Sequence, residues 1–339
     1  MKGGVAIAIS AASILGAAAV AARWNGGKYS FRDKSVLITG GSRGLGLVLA
    51  RYFAREGAHL ALVSRDKERL AAAQTELAAM GGSVIIIQAD AGVRDQAQEA
   101  VETCVKAHGT IDVLVNDAGV MEVGPFEHMG LEDFNAAMAV HAWGPLYFSV
   151  AAVPYMMRQN CGRIVNISSI GGKLAVPHMA PYVMSKFALS GLSEAMCTEL
   201  RRHGILVTSV YPGLMRTGSH VNASFRGDPK GEFLWFSVLA GNPLLSIKAE
   251  KAARQIIGAC RRGQPQLVIT APARIAVAMN ALFPNLMSRV MAVTDRLLPH
   301  PERATPSRTG WESSSARSPS ILTRLADKEI SRNHEHRAA

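Results

Sequence analysis

Tyr182 and Lys186 stand four residues apart in this chain, and Ser169 precedes the tyrosine on a separate segment. A phenol ionises near pH 10 and exchanges protons poorly at neutral pH. Side chains at i and i+4 share one helix face, so the lysine ammonium can sit beside the phenol and favour its anion. A hydroxyl brought from another segment can hold a substrate oxygen against that phenol. Such a trio moves a proton, and it needs a partner that moves a hydride.

That partner requires a binding element, and residues 35–46 supply its pattern. They read Ser-Val-Leu-Ile-Thr-Gly-Gly-Ser-Arg-Gly-Leu-Gly, a short apolar strand and a glycine turn, and helical sequence follows to Glu56. Gly40, Gly44 and Gly46 let the backbone approach a pyrophosphate and let the helix pack on the strand. The helix N-terminus offers unpaired N–H groups to the phosphates. A glycine turn alone is a weak signal, because loops use glycine for turn geometry. Its weight comes from the strand before it, the helix after it, and Ser169, Tyr182 and Lys186 following in order. The combination points to a nicotinamide dinucleotide as the hydride carrier.

With these motifs the chain resembles the short-chain dehydrogenase/reductase family. The matching pieces are Thr39 to Gly46, Asn116-Asp117-Ala118-Gly119, Asn166-Ile167-Ser168-Ser169, Tyr182-Val183-Met184-Ser185-Lys186 and Tyr211 to Thr217. They run in the family's order and spacing across about residues 33–220. The resemblance implies that Tyr182 gives or takes the substrate proton. Lys186 would lower its pKa and bind the nicotinamide ribose, and Ser169 would hold the substrate oxygen, with Ser168 as the alternative. Around the cofactor it implies Gly40, Ser42, Arg43, Gly44, Leu45 and Gly46 at the phosphates. Asn116, Ala118 and Gly119 would flank the adenine ribose, Asp90 would meet the adenine, and Pro212, Gly213 and Thr217 would adjoin the nicotinamide.

Two positions depart from the family pattern. Asp117 stands where a second asparagine is common. His141 stands where an asparagine holds a water linking the lysine to solvent. A neutral imidazole can also bind a water, so His141 is expected to keep a proton relay with altered pH dependence. The alternatives are a weakened relay, or a buried histidine with satisfied hydrogen bonds.

Cofactor choice rests on the end of the second strand. A carboxylate there would bind both ribose hydroxyls and select NAD. The chain has Val63-Ser64-Arg65-Asp66 instead, and Arg43 lies in the glycine turn. Two guanidiniums favour a 2′-phosphate, so NADP is expected over NAD. Asp66 is read as the N-cap of the next helix rather than as the NAD carboxylate.

The elements that position these residues follow from alternating patterns. Strand-like runs at Val36–Thr39, Leu60–Val63, Val84–Gln88, Val113–Asn116, Arg163–Ser168, Leu206–Tyr211 and Leu267–Ile269 alternate with helical sequence near 44–56, 66–80, 95–108, 131–158, 182–202 and 247–262. This predicts an α/β fold, a Rossmann-type doubly wound and mainly seven-stranded parallel sheet, with ligand at the strands' carboxyl ends. With 339 residues, 48% of them hydrophobic and 19% charged, one such domain with terminal extensions fits better than two domains. The expected division is an apolar N-terminal segment over 1–30, a catalytic domain over 31–270, an apolar helical extension over 271–298 and a disordered tail over 299–339.

Cys104, Cys161, Cys197 and Cys260 are widely spaced in regular segments and imply no disulfide framework. The histidines show no metal-ligand spacing, so no metal is expected. The net charge of +11 is uneven: residues 1–200 balance 17 basic against 17 acidic residues, and the remainder carries the whole excess. A basic C-terminal third can face anionic lipid or attract an anionic substrate, or it is a solvated surface. Nothing interleaves aromatic and basic residues as nucleic-acid binding would require.

Residues 3–22 carry no charge and are long enough to span a bilayer core. Arg23, Lys28, Arg32 and Lys34 outnumber Lys2, which would keep the catalytic domain cytoplasmic. An uncleaved anchor is preferred over a signal peptide ending near Ala19-Val20-Ala21 and over a soluble capping helix, and a plain cytoplasmic protein is the alternative. Phe233–Leu245 is apolar enough to form a lid over a greasy substrate, and residues 275–298 could lie on a membrane or extend the substrate cavity. The expectation is an NADP-dependent oxidoreductase interconverting an alcohol and an aldehyde or ketone on a small lipophilic substrate, as a possible homodimer or homotetramer. The rivals are an NADP(H)-binding sensor or scaffold with little catalysis, and a sugar-nucleotide epimerase or dehydratase.

Overall fold

In a computed structural model, residues 29–302, 305–314 and 324–335 are described, and the apolar run 3–22 lies outside them. A seven-stranded parallel sheet forms the centre: β1 (Ser35–Thr39), β2 (His59–Ser64), β3 (Ser83–Gln88), β4 (Val113–Asn116), β5 (Gly162–Ile167), β6 (Ile205–Pro212) and β7 (Gln266–Ile269), in the order β7-β6-β5-β4-β1-β2-β3. Strands covered on both faces read as unbroken apolar runs, and β1, β4 and β5 are buried at every position. The edge strands differ: β3 is exposed at both ends, and β7 at Gln266.

The helices cover both faces: α1 (Gly44–Arg55), α2 (Lys67–Ala79), α3 (Arg94–His108), α4 (Leu131–Met138), α5 (Gly144–Arg158), α6 (Ala180–Glu199), α7 (Pro229–Gly241) and α8 (Ala249–Arg262). One core layer packs Leu47, Phe53 and Leu70 with Ile256 of α8, and the other packs Val101, Phe148 and Met156 against Leu114 and Ile164. Every predicted strand is present within about one residue. The continuous helix expected over 131–158 is instead α4 and α5 joined by a π-turn at Ala139–Trp143. This run is long and apolar enough to cross a membrane, yet it packs on α3 and α6 inside the domain.

The strand order reverses between β1 and β4, so the loops after them diverge and leave a crevice at the sheet's carboxyl edge. Those loops carry the glycine turn and residues 117–119, and the loops after β5 and β6 bring Ser169 and Pro212–Thr217 to the same edge. Beyond the sheet, α9 (Ala271–Leu282) and α10 (Pro284–Asp295) project Leu282, Phe283, Leu286, Val293 and Leu297 into solvent.

Within the C-terminal tail, the described residues 305–314 and 324–335 include regular elements that its composition does not suggest. Arg308–Thr309 pairs antiparallel with Ser224–Phe225, Gly310–Ser313 forms one capped helical turn, and α11 (Arg324–Arg332) docks near α7 and the strand Leu214–Arg216. Proline, serine and arginine make poor local structure. The tail is ordered by tertiary contacts, including Trp311 in the cluster around Phe225 and Phe233.

Candidate active site

A cleft of about 360 Å³ opens at the switch point. Its floor is the glycine turn, and the geometry explains the glycines. Gly40 has φ +71, and a Cβ there would meet the Ala118 backbone at 2.9 Å. A Cβ at Gly46 would collide with the Gly40 carbonyl, so Gly46 serves helix–strand packing and does not line the cleft. Arg43 caps α1 without a side-chain bond, which leaves the first-turn amides to outside acceptors.

Tyr182 sits in the first turn of α6, and Ser169 follows β5. The Ser169 hydroxyl and the Tyr182 ring meet beside Gly171, and the hydroxyl accepts from the Gly171 amide at 3.1 Å. Ser168 is ruled out as its substitute: its Oγ is occupied by the Lys186 carbonyl at 3.1 Å and by Ser190 at 3.0 Å. Lys186 is buried, its Nζ donates to the Ile167 carbonyl at 2.8 Å, and it lies 5.5 Å from the Tyr182 ring centre. Serine, tyrosine and lysine therefore meet at one end of the cleft.

The electrostatics differ from the simple Tyr–Lys picture. Burial is the largest influence on Tyr182 and pushes its phenol up, with Ser169 opposing and Asp117 adding to the rise. Burial also lowers Lys186 to about 8, against the attraction of Asp117. Asp117 itself is pushed up to about 8 by burial, opposed by Lys186 and by the Gly46 amide. A carboxyl and an amine thus sit in the cleft with their affinities for the proton drawn together.

This pair predicts a stability signature. Asp117 has its folded pKa raised, so its contribution is full below about pH 4 and is lost as pH rises through about 8. Lys186 has its folded pKa lowered, so stability lost to its burial is regained from about pH 8 to 10.5. A minimum near pH 8 follows. Asp117→Asn keeps an acceptor for the Gly46 amide and removes the charge, so it raises Tm at pH 8–9 by roughly 4–8 °C, for about 2 kcal/mol, and by little at pH 5. A thermal-melt difference that stays constant across pH would refute this.

His141 is brought beside Tyr182, with ring centres 5.3 Å apart, but both of its nitrogens are taken. Nε2 accepts from the Val120 amide at 3.1 Å, and Nδ1 meets Ser185 Oγ at 2.8 Å. Burial, aided by Lys186, pushes its pKa well down, so it is neutral. No nitrogen is left to hold a relay water, and the expected proton role gives way to a positioning one. Packed in the π-turn, His141 ties the loop after β4 to α6.

The cofactor residues divide. Gly40, Ser42, Arg43, Gly44, Leu45, Arg65, Asp90, Ala118, Gly119, Pro212, Gly213 and Thr217 all line the cleft. Asn116 does not: it is buried and donates to Asn166 at 2.8 Å, pinning β4 to β5. Asp66 caps α2 by accepting from the Arg69 amide at 3.0 Å. Arg65 is largely exposed at the rim, 3.7 Å from Asp90.

Arg43 has a partner that the linear sequence concealed. The Glu335 carboxylate, buried in the cleft, pairs with Arg43 and accepts from Asn222 at 2.6 Å. The Gly44 amide donates to the Asn333 carbonyl at 2.9 Å, and Asn333 in turn donates to the Thr217 carbonyl at 3.0 Å. These bonds lay the tail across the helix N-terminus, and Glu335 offers its oxygens where a phosphate's would go. The glycine cradle, a helix start with no side-chain cap of its own and the meeting of Ser169, Tyr182 and Lys186 fit a nicotinamide dinucleotide, with the Glu335 carboxylate beside Arg43 as a group of opposing sign.

Residues 34–226 match the family model described as short chain dehydrogenase. This chain belongs to the short-chain dehydrogenase/reductase family. As a member of that NAD(P)-using family it is an oxidoreductase. It is 34% identical over 222 residues to an uncharacterised oxidoreductase of Thermotoga maritima, covering 66% of this chain and 87% of the relative. It is 33% identical over 189 residues to gluconate 5-dehydrogenase of Gluconobacter oxydans, covering 56% of this chain and 74% of that one. Among solved structures, a short-chain type dehydrogenase/reductase from Mycobacterium marinum superposes with TM-score 0.62 at 27% identity, over 71% of this chain and 95% of the other. Levodione reductase gives TM-score 0.62 at 24% identity over 70% and 96%, which speaks to the fold alone.

The opposite wall of the cleft is apolar: Met121, Val176, Met179, Leu214, Met215, Phe236 and Ala240. Phe236 and Ala240 belong to α7, the segment read as a lid. Residues 275–298 take no part in the lining, so they do not extend the cavity.

Proposed function

We propose that this short-chain dehydrogenase/reductase uses NADP(H) to interconvert a secondary alcohol or an aldehyde's alcohol with its carbonyl form on a small lipophilic substrate. The observation that carries the reading is the meeting of Ser169, Tyr182 and Lys186 at one end of a cleft that also has an apolar wall. When bound, the nicotinamide supplies or takes up the hydride. Ser169 holds the substrate oxygen, and Tyr182 passes its proton to that oxygen or takes it back. Lys186, held by the Ile167 carbonyl, places a cation near the phenol and favours the anion as the proton leaves. The wall of Met121, Val176, Met179 and Phe236 excludes water and favours an apolar substrate body.

NADP over NAD is supported by Arg43 and Arg65 at the rim and by the use of Asp66 as a helix cap. Each charge-assisted bond to a 2′-phosphate contributes about 1.5–3 kcal/mol. Arg65→Ala should therefore raise the KM for NADPH about 10–100-fold and leave NADH nearly unmoved. Steady-state kinetics with both cofactors decides it, and a clear NADH preference in the parent enzyme would end the assignment.

The exposed apolar residues of α9 and α10, next to a basic C-terminal third, support association with a membrane surface. Exposed Met184 and Phe187 on α6 support a homodimeric or homotetrameric contact. One observation favours the second reading, an NADP(H)-binding sensor with little catalysis: Glu335 lies across the glycine turn. Turnover of any carbonyl in a panel of aldehydes, ketosteroids, retinal and long-chain 3-keto lipids argues for the enzyme.

A further inference from the structure

We propose that His178, Asp295 and His300 form a site for a zinc-type divalent cation that clasps the C-terminal extension onto the loop leading into the catalytic helix. His178 is more than a hundred residues from Asp295 and His300, yet the ligand atoms of all three lie within 4.8 Å of one another. His178 Nε2 is 3.6 Å from Asp295 Oδ1, and His300 Nε2 is 3.5 Å from Asp295 Oδ2. Tetrahedral zinc with ligands at about 2.0–2.1 Å separates them by roughly 3.3–3.5 Å.

The surroundings orient both imidazoles for this task. His178 Nδ1 is 2.7 Å from the fully buried Glu232 carboxylate, which also accepts from Trp235 Nε1 at 2.6 Å. His300 Nδ1 is 2.8 Å from the Leu298 carbonyl. Each Nδ1 therefore faces an oxygen acceptor, and each Nε2 is left on the Asp295 side, where a cation would take it. A carboxylate or carbonyl behind a histidine is the usual support of a metal-binding imidazole. The His178 Nε2 atom is buried without a hydrogen-bond partner, and lone pairs facing a carboxylate repel unless a cation stands between them.

Charge and backbone agree with this. Two neutral imidazoles and the carboxylates of Glu232 and Asp295 balance one divalent ion. His178 holds φ +59, a left-handed conformation costly for a histidine, and its carbonyl accepts from the Gly124 amide at 2.8 Å. The ring of this strained residue is buried against Glu232 and Asp295, and the next residue, Met179, lines the cleft. Three protein ligands leave the ion a fourth position for water.

The test uses the full-length chain, stripped with chelator and titrated with Zn²⁺ alone by calorimetry, with Co²⁺ as the optical probe. One ion per chain should bind, Co²⁺ should give visible absorption of a four- or five-coordinate site, and Zn²⁺ should raise Tm by several degrees. Asp295→Asn and His300→Ala lie at the surface and should fold normally while weakening Zn²⁺ at least about 100-fold; His178→Ala should abolish it. His128→Ala, whose ring only meets the Pro301 carbonyl at 3.1 Å, should bind as the parent does. Weak, substoichiometric binding that is equal in the parent and in Asp295→Asn and His300→Ala would overturn the site. The cluster would then be a protonated imidazole bridge between Glu232 and Asp295.

Discussion

Replacing Tyr182 with phenylalanine lowers kcat for carbonyl reduction by about 10²–10⁴-fold while leaving NADPH binding intact. A positioned acid contributes that range, and Phe loses only the hydroxyl. The ring keeps its edge contact with His141 and its place between Met179 and Val183 on α6, so the fold should not change. The cofactor cradle is built from loops after β1, β4 and β6 and does not depend on the phenol. Rapid-kinetic reduction assays give the rate, and quenching of protein fluorescence by NADPH gives the binding. Residual turnover within tenfold of the parent would show that another group carries the proton, and Ser169→Ala would be the next variant to compare.

Glu335→Gln tightens NADPH binding by roughly 10–100-fold and tightens NADH less. A carboxylate beside the α1 N-terminus competes with any phosphate for the same positive field. Two like charges about 4 Å apart at an effective dielectric of 20 repel by about 4 kcal/mol, so the tail and the cofactor cannot share the cradle without loss. Glutamine keeps the size and the bond to Asn222 but removes the charge and frees Arg43, which is why the phosphorylated cofactor gains more. The effect should shrink in high salt. Equal or weaker NADPH affinity in the variant would mean that the tail closes over bound cofactor as a cap instead of competing with it.

Some of this was legible in the chain because the information was local. The glycine turn works through backbone geometry over a few residues. Ser169 is preferred to Ser168 from the offset to Tyr182 that the family resemblance implies, and Ser168 turns into the bonds with Lys186 and Ser190. Asp66 was recognisable as a cap because capping joins residues three apart. Asn116 and His141 were read by motif position, which does not say which way a side chain points. Asn116 turns into the sheet toward Asn166, and the π-turn carries His141 into bonds with Val120 and Ser185.

The sequence by itself determined the parallel sheet, because strands buried on both faces must be written as continuous apolar runs, and it determined that Tyr182 and Lys186 lie together, because a shared helix face follows from a four-residue step. Tertiary structure alone decided the rest. It placed Glu335 against Arg43, brought His178 to Asp295 and His300, and docked the tail helix Arg324–Arg332. Those contacts join residues more than a hundred positions apart or lean on surfaces that exist only after folding. Loop-closure entropy for them is repaid by burial and ion pairing in the assembled domain, and no local pattern encodes that.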